Sequence, residues 1–293
     1  MKRLVFIALG MALCVRVGAE VRVRDDAGID IVLAAPAQRI VSLAPHATEI
    51  LFEAGAGKRI VGTIKGSDHP PAARSIPLVG DAQALDLERI VALHPDLVVT
   101  WPYTMPSQAS RLRELGIAVF TTDPASIDGI ASAIERLGQL AGTAGPAAQA
   151  AARFRSRVAQ AHAIARGIAR ERPVRVFYQI WDQPLFTIGG RHLISQAIRA
   201  CGGQNVFADL ALPAPQVSVE AVLAARPDAI IAGGNGDERP KWLDDWRRWP
   251  DLPAAANAQL HAVDADRLHR PGPRFAEGVA QLCEVIGRVP SDR

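Results

Sequence analysis

The chain has 293 residues, 49% of them hydrophobic and 22% charged, which is enough for one large core or two moderate ones and excludes a disordered chain. Its 33 basic and 30 acidic residues give a net charge of +3, and Lys2, Arg3 and Arg16 supply the whole excess. The remaining charges balance, which excludes the basic surface expected of a nucleic-acid-binding protein.

Residues 1–19 have the pattern of a secretion signal. Two basic residues precede an apolar run over 4–15, and Ala19 is a small residue at the expected cleavage point. The run is too short for a stable membrane anchor. We therefore expect export to the periplasm with this segment removed. An alternative is lipidation at Cys14, which the bulky Leu13 before it disfavours.

Strands and helices are predicted to alternate in the next part of the chain. A β-hairpin is expected over 21–33, then a strand over 39–43 and a helix that starts near Pro45 and ends at Gly55. The turn at Pro45 and His46 lies at the carboxyl end of a strand, where an α/β lobe presents groups to a ligand. Further strands are expected over 60–64 and 117–121, and further helices over 108–115 and 127–140.

The segment 87–99 occurs again, in similar form, at 219–231. Its glutamate and its Pro-Asp pair align with those of the second copy at one offset, since 220 − 88 and 228 − 96 both equal 132. Each copy has the pattern of a short amphipathic helix, a Pro-Asp turn and an apolar β-branched strand. Two copies favour two α/β lobes of similar fold with a ligand cleft between them.

Residues 146–170 are rich in alanine and contain a single glycine, and prolines stand at their start and just past their end. This composition predicts one helix of about 25 residues, roughly 37 Å long. Such a helix is a stiff connection, unlike a Gly/Ser linker. We therefore assign 20–145 to the first lobe, 146–172 to the bridging helix and 173–293 to the second lobe.

The second lobe is expected to contain strands over 174–180 and 260–263, helices over 193–201 and 275–286, and a loop over 266–274. Trp242, Trp246 and Trp249 have helical spacing, which favours packing of one helix face over a role in ligand binding.

The two cysteines after the expected signal peptide are Cys201 and Cys283. In an exported chain an even pair favours a disulfide, with two buried thiols as the alternative.

The sequence lacks the common catalytic motifs. Residues 55–59 lack the Ser/Thr and the spacing of a phosphate loop, and there is no glycine-serine elbow, paired-histidine zinc helix or Cys-x-x-Cys. We therefore expect a protein that is not an enzyme. An exported hydrolase remains the alternative from another class, and it would need a serine such as Ser42 or Ser67 bonded to a histidine at the cleft.

A set of segments carries a family resemblance. They are 39–45 (RIVSLAP) with Thr48-Glu49, 67–71 (SDHPP), 87–93 (LERIVAL) with 95–98 (PDLV), 201–207 (CGGQNVF) and 215–218 (PQVS). Together they resemble the periplasmic vitamin B12 (cobalamin)-binding proteins, which are class III substrate-binding proteins of ABC importers. The likeness covers nearly all of the chain from Arg39 onward.

The resemblance implies a monomeric receptor, without a cofactor, that holds a corrinoid between its lobes. It implies that Glu88 and Glu220 dock on the two subunits of an ABC permease; alternatively, each carboxylate only stabilises the N-terminus of its helix. Trp101 matches a tryptophan that lines the family's pocket. Asp266 and Arg270 match an acidic and a basic residue that contact the polar rim of the corrin.

Other positions depart from the family pattern. His69 stands in place of a tyrosine, and Ala82 and Ala214 stand in place of two tryptophans. Tyr103 and Trp181 could supply some of the lost aromatic surface, or they could instead be core residues of their lobes.

Two histidines keep a second ligand class open. A neutral imidazole at His46 or His69 could ligate cobalt or iron in a bound ligand, and a polar surface histidine is the alternative. Capture of haem or of a ferric siderophore by the same fold is therefore the rival hypothesis.

Overall fold

The structure, a computed structural model, describes residues 20–103, 106–168, 171–234 and 238–290. The expected signal peptide and Cys14 lie outside these residues. In the part of the chain that the structure describes, no helix combines the length and the apolar character needed to span a membrane.

The first lobe is built on a parallel sheet with helices on both faces. Its strands are β1 (Val21–Arg24), β2 (Asp30–Leu33), β3 (Ile40–Ser42), β4 (Ile60–Thr63), β5 (Leu97–Thr100) and β6 (Ala118–Thr121), and its helices are α1 (Pro45–Glu53), α2 (Leu87–Ala92), α3 (Pro106–Glu114) and α4 (Ile127–Leu140). Strands β1 and β2 form the predicted antiparallel hairpin, and the sheet has the order β4-β3-β5-β6.

Strand β5 shows why this sheet is covered on both sides. Its side chains alternate, so that Leu97 and Val99 enter a core with α1 and α4, whereas Val98 enters a second core with Ile90 of α2 and Leu112 of α3. All four residues of the strand are buried. The continuous apolar run in the sequence therefore reflects a doubly covered parallel strand.

One long helix, α5 (Ala144–Arg166), follows the first lobe. It has 23 residues and is about 34 Å long. It starts two residues earlier than the predicted range of 146–170, and it ends four residues earlier than that range does, because Gly167 forms its C-cap. Its alanine-rich side lies close to α4: a Cβ atom built on Gly138 would lie 2.1 Å from the Cβ of Ala147. Arg155 also ties the two helices together, through ion pairs with Asp128 and Glu135 at 2.6 Å each.

The second lobe contains another mostly parallel sheet. Its strands are β7 (Val174–Trp181), β8 (Phe186–Thr187), β9 (Gly203–Asn205), β10 (Ala229–Gly234) and β11 (Leu260–Asp264), and its helices are α6 (Leu193–Ala200), α7 (Val219–Ala225), α8 (Pro253–Ala256), α9 (Ala265–Leu268) and α10 (Phe275–Arg288). The sheet has the order β11-β10-β7-β8, with β9 paired to β7. Helix α5 packs against both α4 and α10, so the predicted fold of two α/β lobes bridged by one helix is confirmed.

The repeated unit forms α2 and β5 in the first lobe and α7 and β10 in the second. In each copy a non-glycine residue in the left-handed region precedes the Pro-Asp pair: His94 has φ 46° and Arg226 has φ 42°. This backbone conformation is uncommon for such residues, and its recurrence at the 132-residue offset shows that the turn itself is repeated.

The aspartate of each turn holds the start of a neighbouring strand. Asp96 Oδ2 accepts a hydrogen bond from the backbone N–H of Arg39 at 2.9 Å, and Asp228 Oδ2 accepts one from that of Arg175 at 2.8 Å. Both arginine side chains donate back to a carbonyl oxygen near the end of the repeated helix, at 2.8 and 2.7 Å. The Pro-Asp motif therefore aligns β3 with β5 and β7 with β10.

Two local predictions need correction. Asp266 was expected in a loop, but it lies in the short helix α9, which Asp264 caps by accepting the Asp266 N–H at 2.9 Å. The tryptophan segment Lys241–Arg248 is a 3-10 helix, so the predicted helical face is approximate. The expected packing role is confirmed for Trp246, which is 4% exposed and donates its indole N–H to Gln179 at 2.7 Å.

The predicted disulfide between Cys201 and Cys283 is confirmed. It joins the end of α6 to the middle of α10, and it closes a separation of 82 residues. Because most of the second lobe lies between the two cysteines, the bond restricts the unfolded chain over that whole length.

We expect the double variant Cys201→Ala/Cys283→Ala to lose about 4 kcal/mol of unfolding free energy, since a loop of this length is freed in the unfolded chain. Urea denaturation of both proteins, with and without a reductant, measures this loss. The reductant should lower the midpoint of the wild type and leave that of the variant unchanged. Equal midpoints for the oxidised wild type and the variant would contradict the prediction.

Candidate functional site

A cavity of about 320 Å³ lies between the lobes, at the carboxyl ends of β5 and β6. The first lobe contributes Trp101, Tyr103 and the segment 123–125 to its wall. The second lobe contributes residues from three separated segments, 191–193, 213–214 and 268–271. The cleft therefore depends on the position of one lobe relative to the other.

An aromatic group forms the first-lobe wall. The Trp101 ring lies 5.3 Å from the His46 ring and 4.6 Å from the Tyr103 ring, edge-to-face in both cases. The Trp101 side chain also hydrogen-bonds to the carboxylate of Asp123, whose pKa is raised by burial in spite of that bond. Because His46 is 2% exposed and Tyr103 is 66% exposed, the group runs from the core to the mouth of the cleft.

His46 follows Pro45 at the start of α1, as predicted. Burial lowers the pKa of its imidazole from 6.5 to about 4, and the nearby Arg270 lowers the pKa further, whereas a backbone hydrogen bond with Thr122 opposes the shift. The ring is therefore neutral at pH 7.

Two more histidines form part of the second-lobe wall. His192 caps α6, and its Nδ1 accepts the backbone N–H of Ile194 at 3.1 Å. The Nε2 atom of His269 lies 3.0 Å from the hydroxyl oxygen of Tyr178, which is fully buried. Burial lowers the pKa of both rings, that of His192 to about 4, so both are neutral at pH 7.

An ion-pair cluster joins the lobes beside the cleft. Arg274, the N-cap of α10, donates two hydrogen bonds to Glu49 of α1, at 2.9 and 2.7 Å. Arg270 contacts Asp68 of the first lobe at 2.9 Å, Asp266 at 3.0 Å and Glu49 at 3.5 Å. Burial alone would raise the pKa of Asp68, but its hydrogen bond with Arg270 holds that pKa below the usual value. The loop after α9 is thus attached to both lobes.

The cleft cavity brings together Trp101, Tyr103 and Ala214 among the predicted site residues. Trp181 lines a different cavity of about 630 Å³ at the carboxyl ends of β7 and β10. The alternative that Tyr103 and Trp181 are core residues is wrong, because they are 66% and 56% exposed.

The remaining predicted residues lie elsewhere. His69 lines a third cavity, of about 320 Å³, with Glu49 and Arg274. Ala82 is exposed on a loop and lines none of these three cavities. Asp266 and Arg270 contact each other beside the cleft cavity, and Arg270 is engaged by carboxylates there.

The contact that the hydrolase hypothesis requires is missing from the described residues. Ser42 accepts a hydrogen bond from Thr48 at 2.8 Å and donates to the carbonyl oxygen of Ala44, and the Thr48 and Ser67 hydroxyls lie 3.2 Å apart. These buried hydroxyls bond to each other and to the backbone, with no histidine among their partners. Nor do the described residues contain a group of three or more His, Cys, Asp or Glu placed to hold a metal ion.

Sequence reasoning missed His192, His269 and the partners of Glu49. His192 stands just before a predicted helix, but histidine is not one of the usual N-cap residues, so no local pattern identifies its role. The pair formed by Glu49 and Arg274 spans 225 residues, so only the folded chain reveals it.

The buried neutral state of His46 predicts a pH-dependent stability. In the unfolded chain His46 titrates near 6.5, whereas in the fold its pKa is about 4, so acid protonates the unfolded chain first. The contribution of His46 to the stability should be constant above pH 7 and should fall as the pH drops from about 6.5 to about 4, by about 2 kcal/mol at pH 5.

Urea denaturation between pH 7.5 and pH 4.5 tests this on the wild type and on His46→Phe, which fills the same space without a titrating group. The variant should show the shallower pH dependence. His94→Asn serves as the control, because this residue is exposed and asparagine tolerates its left-handed backbone. Equal slopes for wild type and His46→Phe would contradict the prediction.

Comparisons with known proteins agree on the family to which this chain belongs. A model of the periplasmic binding protein family matches residues 40–266. The chain is 37% identical over 253 residues to the vitamin B12-binding protein of Vibrio cholerae, which covers 86% of this chain and 90% of that protein.

Two solved structures have similar folds. The periplasmic vitamin B12 binding protein of Vibrio cholerae aligns with a TM-score of 0.77 at 36% identity, covering 86% of this chain and 97% of that one. The periplasmic heme-binding protein from Roseiflexus sp. RS-1 aligns with a TM-score of 0.75 at 28% identity, covering 86% and 98%. The family match, together with 37% identity to a relative across most of both chains, shows that this protein belongs to the periplasmic binding protein family.

Proposed function

We propose that this protein captures a corrinoid, vitamin B12 or a close relative, in the cleft between its lobes and delivers it to an ABC importer. The observation that carries the proposal is the 37% identity, over 86% of the chain, to a vitamin B12-binding protein. The relatives named here are binding proteins, and no covalent step is part of the proposal.

The shape and chemistry of the cleft support a large, flat ligand. Trp101 and Tyr103 offer aromatic surface on one wall, and large apolar contact is the main source of affinity in such sites. A cavity of about 320 Å³ holds only part of a corrinoid, and the cavity lined by Trp181 offers further space. One residue of each cavity lies against the other, since a Cβ atom built on Gly233 of the Trp181 cavity would lie 2.6 Å from the ring of His269 in the cleft cavity. The ligand would extend from Trp101 toward Trp181.

Of the other positions implied by the family resemblance, Arg270 and Ala214 would lie at the ligand. Arg270 would reach the rim of the corrin with a guanidinium group that also contacts Asp266 and Asp68. Ala214 leaves open space on the cleft wall, whereas His69 and Ala82 would lie outside the direct contacts.

Titration with cyanocobalamin, followed by calorimetry, tests the proposal. We expect saturable binding to one site, and about a 30-fold or larger loss of affinity in Trp101→Ala, because that change removes a large aromatic contact. Ile164→Ala is the control, since it removes an exposed apolar side chain from α5, outside all three cavities.

Haem capture is the rival function, favoured by the 28% identity to a haem-binding protein and by the histidines of the cleft. The same titration with haem separates the two. Tight haem binding with a shifted Soret band, together with no binding of cyanocobalamin, would overturn the corrinoid proposal.

We also propose where the protein works and how its chain is divided. Residues 1–19 would be a cleaved signal peptide, so that the mature monomer acts in the periplasm. The lobes would be 20–145 and 173–293, with 146–172 between them. The packing of α5 against a helix of each lobe supports this division.

Glu88 and Glu220 would be the contacts with the permease. Each is exposed and stands two residues after an N-cap, Asp86 in α2 and Ser218 in α7, so the lobes present the two carboxylates in equivalent ways. The helix-terminus alternative has support at Glu220, because hydrogen bonds with its own backbone N–H and with Ser218 lower the pKa of that carboxyl. The two roles are compatible, since both carboxylates remain exposed.

The double variant Glu88→Gln/Glu220→Gln distinguishes the permease-docking role of these carboxylates from their helix-terminus role. We expect unchanged affinity for cyanocobalamin, an unchanged melting temperature within about 2 °C, and binding to the permease weakened by about 30-fold or more, as for the loss of paired interfacial charges. Pull-down or surface plasmon resonance with the importer in nanodiscs measures the last effect. Glu114→Gln, an exposed glutamate on α3, is the control. Permease binding equal to that of the wild type would leave only the helix-terminus role.

A further inference from the structure

The tautomer of His192 is fixed by its position in the fold. Its Nδ1 accepts the backbone N–H of Ile194 at 3.1 Å, so that nitrogen uses its lone pair and carries no proton. Because burial keeps the ring neutral at pH 7, its single proton lies on Nε2. His192 is also one of the residues that line the cleft cavity. His192 therefore brings a neutral N–H donor to the ligand site.

His269 is fixed in a similar way. The hydroxyl of Tyr178 is fully buried, and within the described chain its hydrogen-bond partner is Nε2 of His269, at 3.0 Å. If the imidazole donated to the phenol oxygen, the phenol proton would be buried without an acceptor, which is costly. The phenol therefore donates to Nε2, and the proton of the neutral ring lies on Nδ1.

Both second-lobe imidazoles of the cleft thus have their lone pairs occupied by the protein itself. A histidine ligates cobalt or iron through a free lone pair, so neither ring is prepared to bind the metal of a ligand. What they offer is an N–H group, which pairs with an oxygen acceptor. Corrinoids carry acetamide and propionamide side chains around the macrocycle, and the carbonyl oxygens of these groups are neutral acceptors of that kind.

We propose that the Nε2–H of His192 donates a hydrogen bond to an amide oxygen on the corrinoid rim, and that His192 is a specificity-determining residue of the cleft. This inference rests on the proposed function. It adds a second-lobe contact in a cavity that Trp101 of the first lobe and Ala214 of the second lobe also line.

A matched pair of variants tests the contact. In His192→Asn the amide oxygen takes the place of Nδ1 and still caps α6, since asparagine is a favourable N-cap, but nothing reaches the position of Nε2. We expect the melting temperature to be kept and the Kd for cyanocobalamin to rise about 5- to 10-fold, as for one lost hydrogen bond. His192→Gln returns an amide N–H to the position of Nε2, and its Kd should stay within about threefold of the wild type even where the weaker cap lowers the melting temperature.

The possible outcomes distinguish a failure of this inference from a failure of the proposed corrinoid-binding function. Failure of the wild type to bind cyanocobalamin overturns the proposed function. Binding by the wild type with an unchanged Kd in His192→Asn overturns the inference alone. With haem as the probe, a six-coordinate low-spin spectrum that His192→Asn abolishes would also overturn it, because that spectrum requires the Nε2 lone pair.

Discussion

The ion pair between Glu49 and Arg274 is the interaction on which the shape of the cleft depends. Glu49 is 2% exposed on α1 of the first lobe, and Arg274 contacts it from the N-cap position of α10 in the second lobe. Two short hydrogen bonds satisfy a carboxylate that has almost no contact with water. Because breaking a buried pair by removing one partner costs about 3–5 kcal/mol, the lobes are held at one separation where the two side chains meet.

This constraint extends directly to the ligand site. The segment between α9 and α10 carries His269 and Pro271 of the cleft wall, and its two arginines both contact the first lobe. Gly272 lies beside α1, since a Cβ atom built there would be in ordinary contact, at 3.5 Å, with both Glu49 and His46. Helix α5 supplies a second connection, since its buried face packs on α4 and on α10. Opening by a large hinge motion would break both connections, so the fold favours small changes of cleft width.

The sequence was sufficient for the framework because the framework is made from local and repeated patterns. The unbroken apolar run of β5 predicts a strand that is covered on both faces. The Pro-Asp pairs at 95–96 and 227–228 predict two similar turns, one in each lobe. The site was predicted less completely because it depends on contacts between distant segments. The family resemblance was enough to place Trp101 in the pocket, but Arg270 is held by Asp68 across 202 residues, and no local pattern in the sequence indicates that pairing.

The aromatic surface and the histidines of the cleft together indicate how the ligand would be recognised. His46 was, with His69, a candidate to ligate a metal, yet His46 is 2% exposed and its ring packs edge-to-face against Trp101, whereas a metal ligand needs an open approach to its nitrogen. His192 and His269 line the cleft, but the imidazole lone pair of each accepts a hydrogen bond from the protein, from Ile194 and from Tyr178 respectively. A cleft with aromatic surface on one wall and neutral N–H donors on the other is suited to a macrocycle recognised by its face and its polar rim, with its metal left uncoordinated by His192 and His269.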